Sequence, residues 1–153
     1  MAALRLPTVQ GAANSATAAR VSGQVYKLDK NPDHLKSIRF DFDGAQTVVT
    51  FAGQHGEQQI AAGQGTWAYR SAVLPPLDES MRRDPSLVWQ QWAIAASGAW
   101  TDENTYVLKA WWHETPFLLT FTCRFADSQL TVEQRGNVGF GPLGGPTLTG
   151  VKR

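Results

Sequence analysis

The chain predicts an all-β fold, an antiparallel sandwich or barrel of roughly eight to ten short strands. Three observations carry that expectation. Turn signals recur about every ten residues. No stretch keeps a helical period. Between Ser97 and Phe140, three strand-like runs, residues 105–114, 117–125 and 129–135, agree on one apolar face. Setting Glu114 opposite Phe117 across Thr115-Pro116 puts Trp112 against Leu119, Ala110 against Phe121, Leu108 against Cys123 and Tyr106 against Phe125. Setting Ala126 opposite Gln129 puts Phe125 against Leu130 and Cys123 against Val132, so both hairpins bury the same side. The other side carries Lys109, His113, Thr120, Thr122, Arg124, Thr131 and Glu133, a wetter face.

The remaining elements follow in order. Residues 1–22 hold Pro7, Gly11 and small side chains without a clear period and are read as a linker or surface arm. Residues 23–153 form the domain, beginning with a strand at 23–28. Lys30-Asn31-Pro32-Asp33 is a turn cluster. Ile38, Phe40 and Phe42 alternate with Arg39, Asp41 and Asp43, a half-buried strand. Asp43-Gly44 turns the chain into 47–51, and Gln54-His55-Gly56 turns it again into 57–61. A short strand at 66–69 precedes a Pro-rich insertion at 71–85, long enough to cover one end of the fold. Residues 87–96 resume as a strand with Val88, Gln90, Trp92, Ile94 and Ala96 on one side. After the three-stranded meander, 136–145 is glycine-rich and 147–151 is a closing strand.

Composition narrows the function classes. With 42% apolar and 18% charged residues, 153 residues suffice for one domain with a core. A net charge of +1 gives no reason to expect nucleic acid as a partner. No apolar run approaches membrane-spanning length, and the first residues lack the apolar core of a signal peptide, so no membrane partner is expected and no compartment is indicated. The single cysteine, Cys123, rules out an internal disulfide and reads as a buried, inert thiol.

Several motifs resemble the C-terminal domain that follows the catalytic domain of β-lactamase-related serine hydrolases. They are Ser97-Gly98-Ala99-Trp100, Glu114-Thr115-Pro116-Phe117, Cys123-Arg124-Phe125, Asn137-Val138-Gly139-Phe140-Gly141-Pro142 and Pro146-Thr147-Leu148-Thr149-Gly150, with Gly23-Gln24-Val25-Tyr26-Lys27-Leu28 upstream. The resemblance implies a lipocalin-like, up-and-down antiparallel barrel of about eight strands. It also implies a non-catalytic accessory domain that packs on a hydrolase catalytic domain, in cis or in trans. The chain itself lacks that family's catalytic pattern: no serine is followed three positions later by lysine, and no tyrosine is followed two positions later by asparagine.

Few residues are candidates for chemistry. His34, His55 and His113 show no helical pairing and no dense ligand set with Glu57 or Glu114, so neither metal nor cofactor is expected, and no Gly-x-Ser-x-Gly elbow exists. No enzyme activity is expected of this chain. The alternative to the accessory domain is a stand-alone carrier of a small apolar ligand. Its candidate ligand-binding residues are Glu114, Trp112, Trp92 and Tyr106, with Glu114 as a polar anchor near one mouth. Trp111 and Trp112 are adjacent in a strand and point to opposite sides. Trp111, facing out beside Leu118, is the candidate protein interface.

Overall fold

In a computed structural model of the protein, the structure describes residues 7–54, 56–73, 91–112, 117–137 and 147–153. Among the described residues, one short helix, α1 (Ala16–Val21), precedes ten strands. These are β1 (Val25–Leu28), β2 (Leu35–Phe42), β3 (Gln46–Gly53), β4 (Gly56–Gly63), β5 (Ala68–Val73), β6 (Gln91–Trp100), β7 (Thr105–Trp112), β8 (Leu118–Ala126), β9 (Gln129–Gly136) and β10 (Leu148–Lys152).

The strands lie in the order β4-β3-β2-β1-β10-β9-β8-β7-β6-β5, every one of these neighbouring pairs antiparallel. A further, parallel pairing at Gly63 and Ser97 joins β4 to β6. That contact closes nine strands, β4 through β6 by way of β1 and β10, into a ring, with β5 along the outer part of the β6 edge. The barrel expected from the sequence is the fold. A closed ring needs no edge strand to be protected from other chains.

Local chemistry sets the turns. The Asp43 carboxylate accepts the N–H groups of Ala45 (3.0 Å) and Gln46 (2.8 Å), and Gly44 takes the positive φ of 90° that the β2–β3 turn requires. Between β8 and β9, Asp127 at φ 52° and Ser128 form a two-residue turn. The β8–β9 register is the expected one, with Phe125 opposite Leu130 and Cys123 opposite Val132.

The β7–β8 register differs from expectation. Tyr106 faces Cys123, Leu108 faces Phe121 and Ala110 faces Leu119. A turn centred on Thr115-Pro116 alone would need Pro116 in a primed turn, where its fixed φ does not fit. Instead the Trp112 N–H donates to the Phe117 carbonyl at 3.0 Å, and the two strands pair outside residues 113–116. The slip is by two positions, so every side chain keeps its face.

Two further segments were not read from the sequence. Ser97 to Trp100 continue β6 beyond the expected end of the strand at Ala96. Residues 16–21 of the N-terminal segment form α1, capped by Ser15, whose hydroxyl accepts the Ala18 N–H at 3.0 Å. Thr17, Ala18 and Val21 are buried beneath it. The Thr17 hydroxyl donates to the Asn104 side-chain carbonyl at 2.6 Å and accepts from the Arg20 guanidinium at 2.9 Å. The Gly23 N–H donates to the Phe40 carbonyl, and the Phe42 N–H to the Ser22 hydroxyl. Thus α1 lies across the barrel end where β2, β6 and β8 finish. Ahead of the helix, the Ala12 and Trp100 backbones exchange two hydrogen bonds of 2.9 Å, and the Val9 N–H donates to the Ser97 hydroxyl at 3.2 Å. This strip covers the outward face of β6, which is why Ala95, Ser97 and Ala99 are fully buried there and small. At Gly11 any Cβ would collide with the Trp100 carbonyl, so only glycine fits that contact.

Candidate functional site: the barrel interior

Alternation along each strand turns one side chain in two toward the centre. These inward residues form a single cluster reaching from Tyr26, Phe40 and Phe125 to Phe51, Ile94, Trp112 and Leu119. The buried polar side chains on the strands are Thr47, Thr50, Ser97 and Gln134. Thr47 and Gln134 share the inward face of their strands, so the wall is apolar apart from these two neutral polar side chains, and no described strand turns a buried acid or base into it.

The helix end is sealed by rings from five strands. Phe125 contacts Tyr26 (centroids 5.8 Å apart), Phe40 (5.3 Å) and Trp100 (5.7 Å). Phe42 contacts Trp100 (5.0 Å) and Tyr106 (5.1 Å), and Trp100 contacts Tyr106 at 5.5 Å. Most of these pairs are edge-on or tilted, the favourable arrangements for aromatic quadrupoles. The Tyr26 and Tyr106 hydroxyls and the Trp100 indole N–H are buried there without a hydrogen-bond partner. Thr47 is the polar side chain beside the Tyr106 hydroxyl, outside hydrogen-bond geometry. Burial pushes the Tyr106 phenol well above its ordinary range and raises that of Tyr26, where the Arg20 charge offsets part of the effect.

Away from the helix, the wall carries Phe51 and Phe121, with centroids 6.3 Å apart, together with Ile60, Ile94, Leu119 and Trp112. Shielding is nearly complete: Phe121 is 2% exposed, Trp112 3% and Phe51 4%. In this conformation the described interior is filled by side chains.

The structure separates the candidates named from the sequence. Tyr106 lies in the aromatic seal and Trp112 on the inner wall opposite Ile94, so the two are at opposite ends of β7. Trp92 is half-buried and packs against the core from the start of β6, the end away from α1. Glu114 lies outside the described residues, as do His55 and His113. Trp111 is half-buried on the outer face, opposite Leu118, and its ring is 6.0 Å from that of Trp67. His34 is exposed in the β1–β2 loop. Among the described residues, no three His, Cys, Asp or Glu side chains are placed to hold a metal ion. Sequence reasoning missed the aromatic seal: Phe40 and Phe42 were legible as inward residues of one strand, but their partners come from strands far away in the chain.

Cys123 is fully enclosed, and burial raises its thiol far above the usual range. Native protein at pH 8 is therefore expected to resist an aromatic disulfide reagent for hours and to react at once in guanidinium. Prompt reaction of the native protein would show that β8 opens readily. The sign of the pH dependence follows. Cys123, Tyr26 and Tyr106 all have folded-state pKa values above their unfolded ones, so their burial is fully stabilising below the ordinary thiol value of about 8.5. That stability declines as pH rises above it, first for the thiol and then, beyond about 10, for the phenols.

No family model and no curated protein matches this chain. Among solved structures, the chain resembles the crystal structure of a fatty acid-binding protein from brain tissue of Drosophila melanogaster, solved without citrate inside, at 13% identity and a TM-score of 0.56. The match covers 87% of this chain and 99% of that one. At that identity the likeness establishes the fold alone, a closed, mostly antiparallel β-barrel. It also overturns the resemblance to the domain appended to β-lactamase-related hydrolases. The matched protein is this barrel over nearly its whole length and no hydrolase domain, and the short motifs that carried the resemblance call up no family model. Where they are described, those motifs fall on β1, β6, β8 and β10 and are short runs rich in small and aromatic residues, which closed antiparallel barrels commonly use.

Proposed function

We propose that the protein carries a small apolar ligand in the half of the barrel away from α1. The observation that carries this reading is an inner wall of mostly apolar side chains, interrupted by the neutral Thr47 and Gln134 and free of buried charge on the described strands, in a fold shared with a fatty acid-binding protein. The seal of rings at the helix end leaves the opposite end, where β7 finishes and β6 and β8 begin, as the route in. Trp92, only half-buried at that end, and Trp112 just inside it would line the path, with Glu114 as the polar group at the mouth. Tyr106, at the far side of the seal, would meet only a ligand that reaches the bottom.

Because the described inward side chains are shielded almost completely, a guest must displace some of them. Its gain is then the apolar area it buries, about 25 cal/mol per Å2, less the cost of moving those side chains. The expected affinity is micromolar rather than nanomolar. Titration with fatty acids of graded length and with an aromatic dye, followed by tryptophan fluorescence, should give a saturable change that a Trp112→Phe variant reduces by at least half. Silence across every chain length and dye would end the carrier reading.

A further inference from the structure

A groove of about 500 Å3 lies on the outer surface where β1, the β1–β2 loop and the start of β2 approach Arg153. Its walls carry Lys27, Lys30, Lys36 and Arg153, all exposed, with His34 among them, against a single carboxylate, Asp29. None of the four cations makes an ion pair with a described residue. The Asp29 carboxylate is already engaged, accepting the Thr149 hydroxyl at 2.7 Å. A chain of net charge +1 thus gathers four side-chain positive charges against one side-chain carboxylate in one concavity.

The groove has a fixed frame. Asn31 is buried, and its amide donates to the Asp29 and Leu35 carbonyls, both at 2.8 Å, while its carbonyl accepts the Leu35 N–H at 3.0 Å. His34 is held at φ 53°, in the left-handed region that few non-glycine residues adopt, with its backbone N–H donating to the Asn31 backbone carbonyl at 3.1 Å. Leu28 and Leu35 line the same groove and are nearly buried, giving it an apolar side next to its basic one.

We propose that this groove binds a phosphate ester bearing an apolar group. Four unpaired like charges repel one another, and a phosphate monoester, carrying about −1.5 to −2 at pH 7, relieves that repulsion better than a single carboxylate. Leu28 and Leu35 meet the ester's hydrocarbon. The site is on the outer wall and stands whether or not the interior carries a ligand.

Calorimetric titration with octyl phosphate at low salt tests it, with octanol and inorganic phosphate alongside. Octyl phosphate should bind, octanol should not, and inorganic phosphate should bind more weakly than the ester. The Lys30→Gln/Lys36→Gln double variant should weaken octyl phosphate binding about tenfold, as should a rise in salt, while Lys109→Gln on β7 leaves it unchanged. Lys30 and Lys36 are exposed, so their replacement leaves the melting temperature as it is and a loss of binding reads the groove and not the fold. Vesicles of phosphatidic acid in phosphatidylcholine, against phosphatidylcholine alone, identify the source. Retention by the acidic vesicles that the double variant loses assigns a lipid head group, and binding of the soluble ester without vesicle retention assigns a free ester. Equal affinity of the double variant and the unchanged protein, or binding of neither ester nor vesicle, overturns the proposal.

Discussion

Phe125→Ala is expected to lower the free energy of unfolding by about 3–5 kcal/mol. Phe125 is 4% exposed, and its ring touches Tyr26 on β1, Phe40 on β2 and Trp100 on β6. It therefore joins strands from both halves of the ring at the sealed end. Truncation removes the transfer energy of the side chain and leaves a void that three rigid rings fill poorly. With a total stability of about 5–15 kcal/mol, such a loss leaves the variant marginal. Urea unfolding should show the midpoint falling at unchanged slope. Phe117→Ala, at a position 37% exposed, should cost under about 1 kcal/mol in the same assay. Equal losses for the two would mean that the seal does not hold the barrel together.

The second large effect concerns a missing side chain. A methyl group at Gly98 would overlap the Tyr106 hydroxyl and lie 2.5 Å from Cζ of the same ring. Gly98 is on β6 next to β7, and its absent side chain is what lets the Tyr106 ring lie flat over the wall. The ring is pinned by Phe42 and Trp100 and cannot swing clear. Gly98→Ala should therefore cost about 2–3 kcal/mol or prevent folding, the usual range for overpacking a tight site. The explanation makes a sharper demand in a double-mutant cycle. Tyr106→Leu is itself destabilising, but on that background the added methyl has room, and Gly98→Ala should cost less than about 1 kcal/mol. The same cost in both backgrounds would place the strain in the backbone of β6 and not in the ring.

How much of this was legible in the sequence depends on how local the information is. The β8–β9 hairpin was readable to the residue, because Asp127-Ser128 fixes a two-residue turn and a turn fixes register. The β7–β8 register was not, because residues 113–116 separate the strands, yet Tyr106, Leu108, Ala110 and Trp112 kept their predicted face. Helix α1, six residues of Ala, Thr, Arg and Val, is under two turns and too short to display a period. The strand expected at 87–96 stopped short of the small residues that end β6, which are small where the strip before α1 packs against them. The same limit governs the site. That Tyr106 and Trp112 point inward followed from alternation, but the seal needed β1, β2, β6, β7 and β8 brought together, and no local pattern encodes that meeting.

The placing of β10 between β1 and β9 has a consequence for how the protein is made. Tyr26 pairs with Lys152 and Lys27 with Val151, so the ring's first strand waits for its last. During translation the meander from β6 to β9 can zip up as it leaves the ribosome, but the loop of chain joining β1 to β10 closes only after β10 has emerged. Topologies of such high contact order fold slowly, in milliseconds to seconds. Until then the aromatic rings of the seal face solvent on a half-built sheet, the interval in which this protein most needs a chaperone.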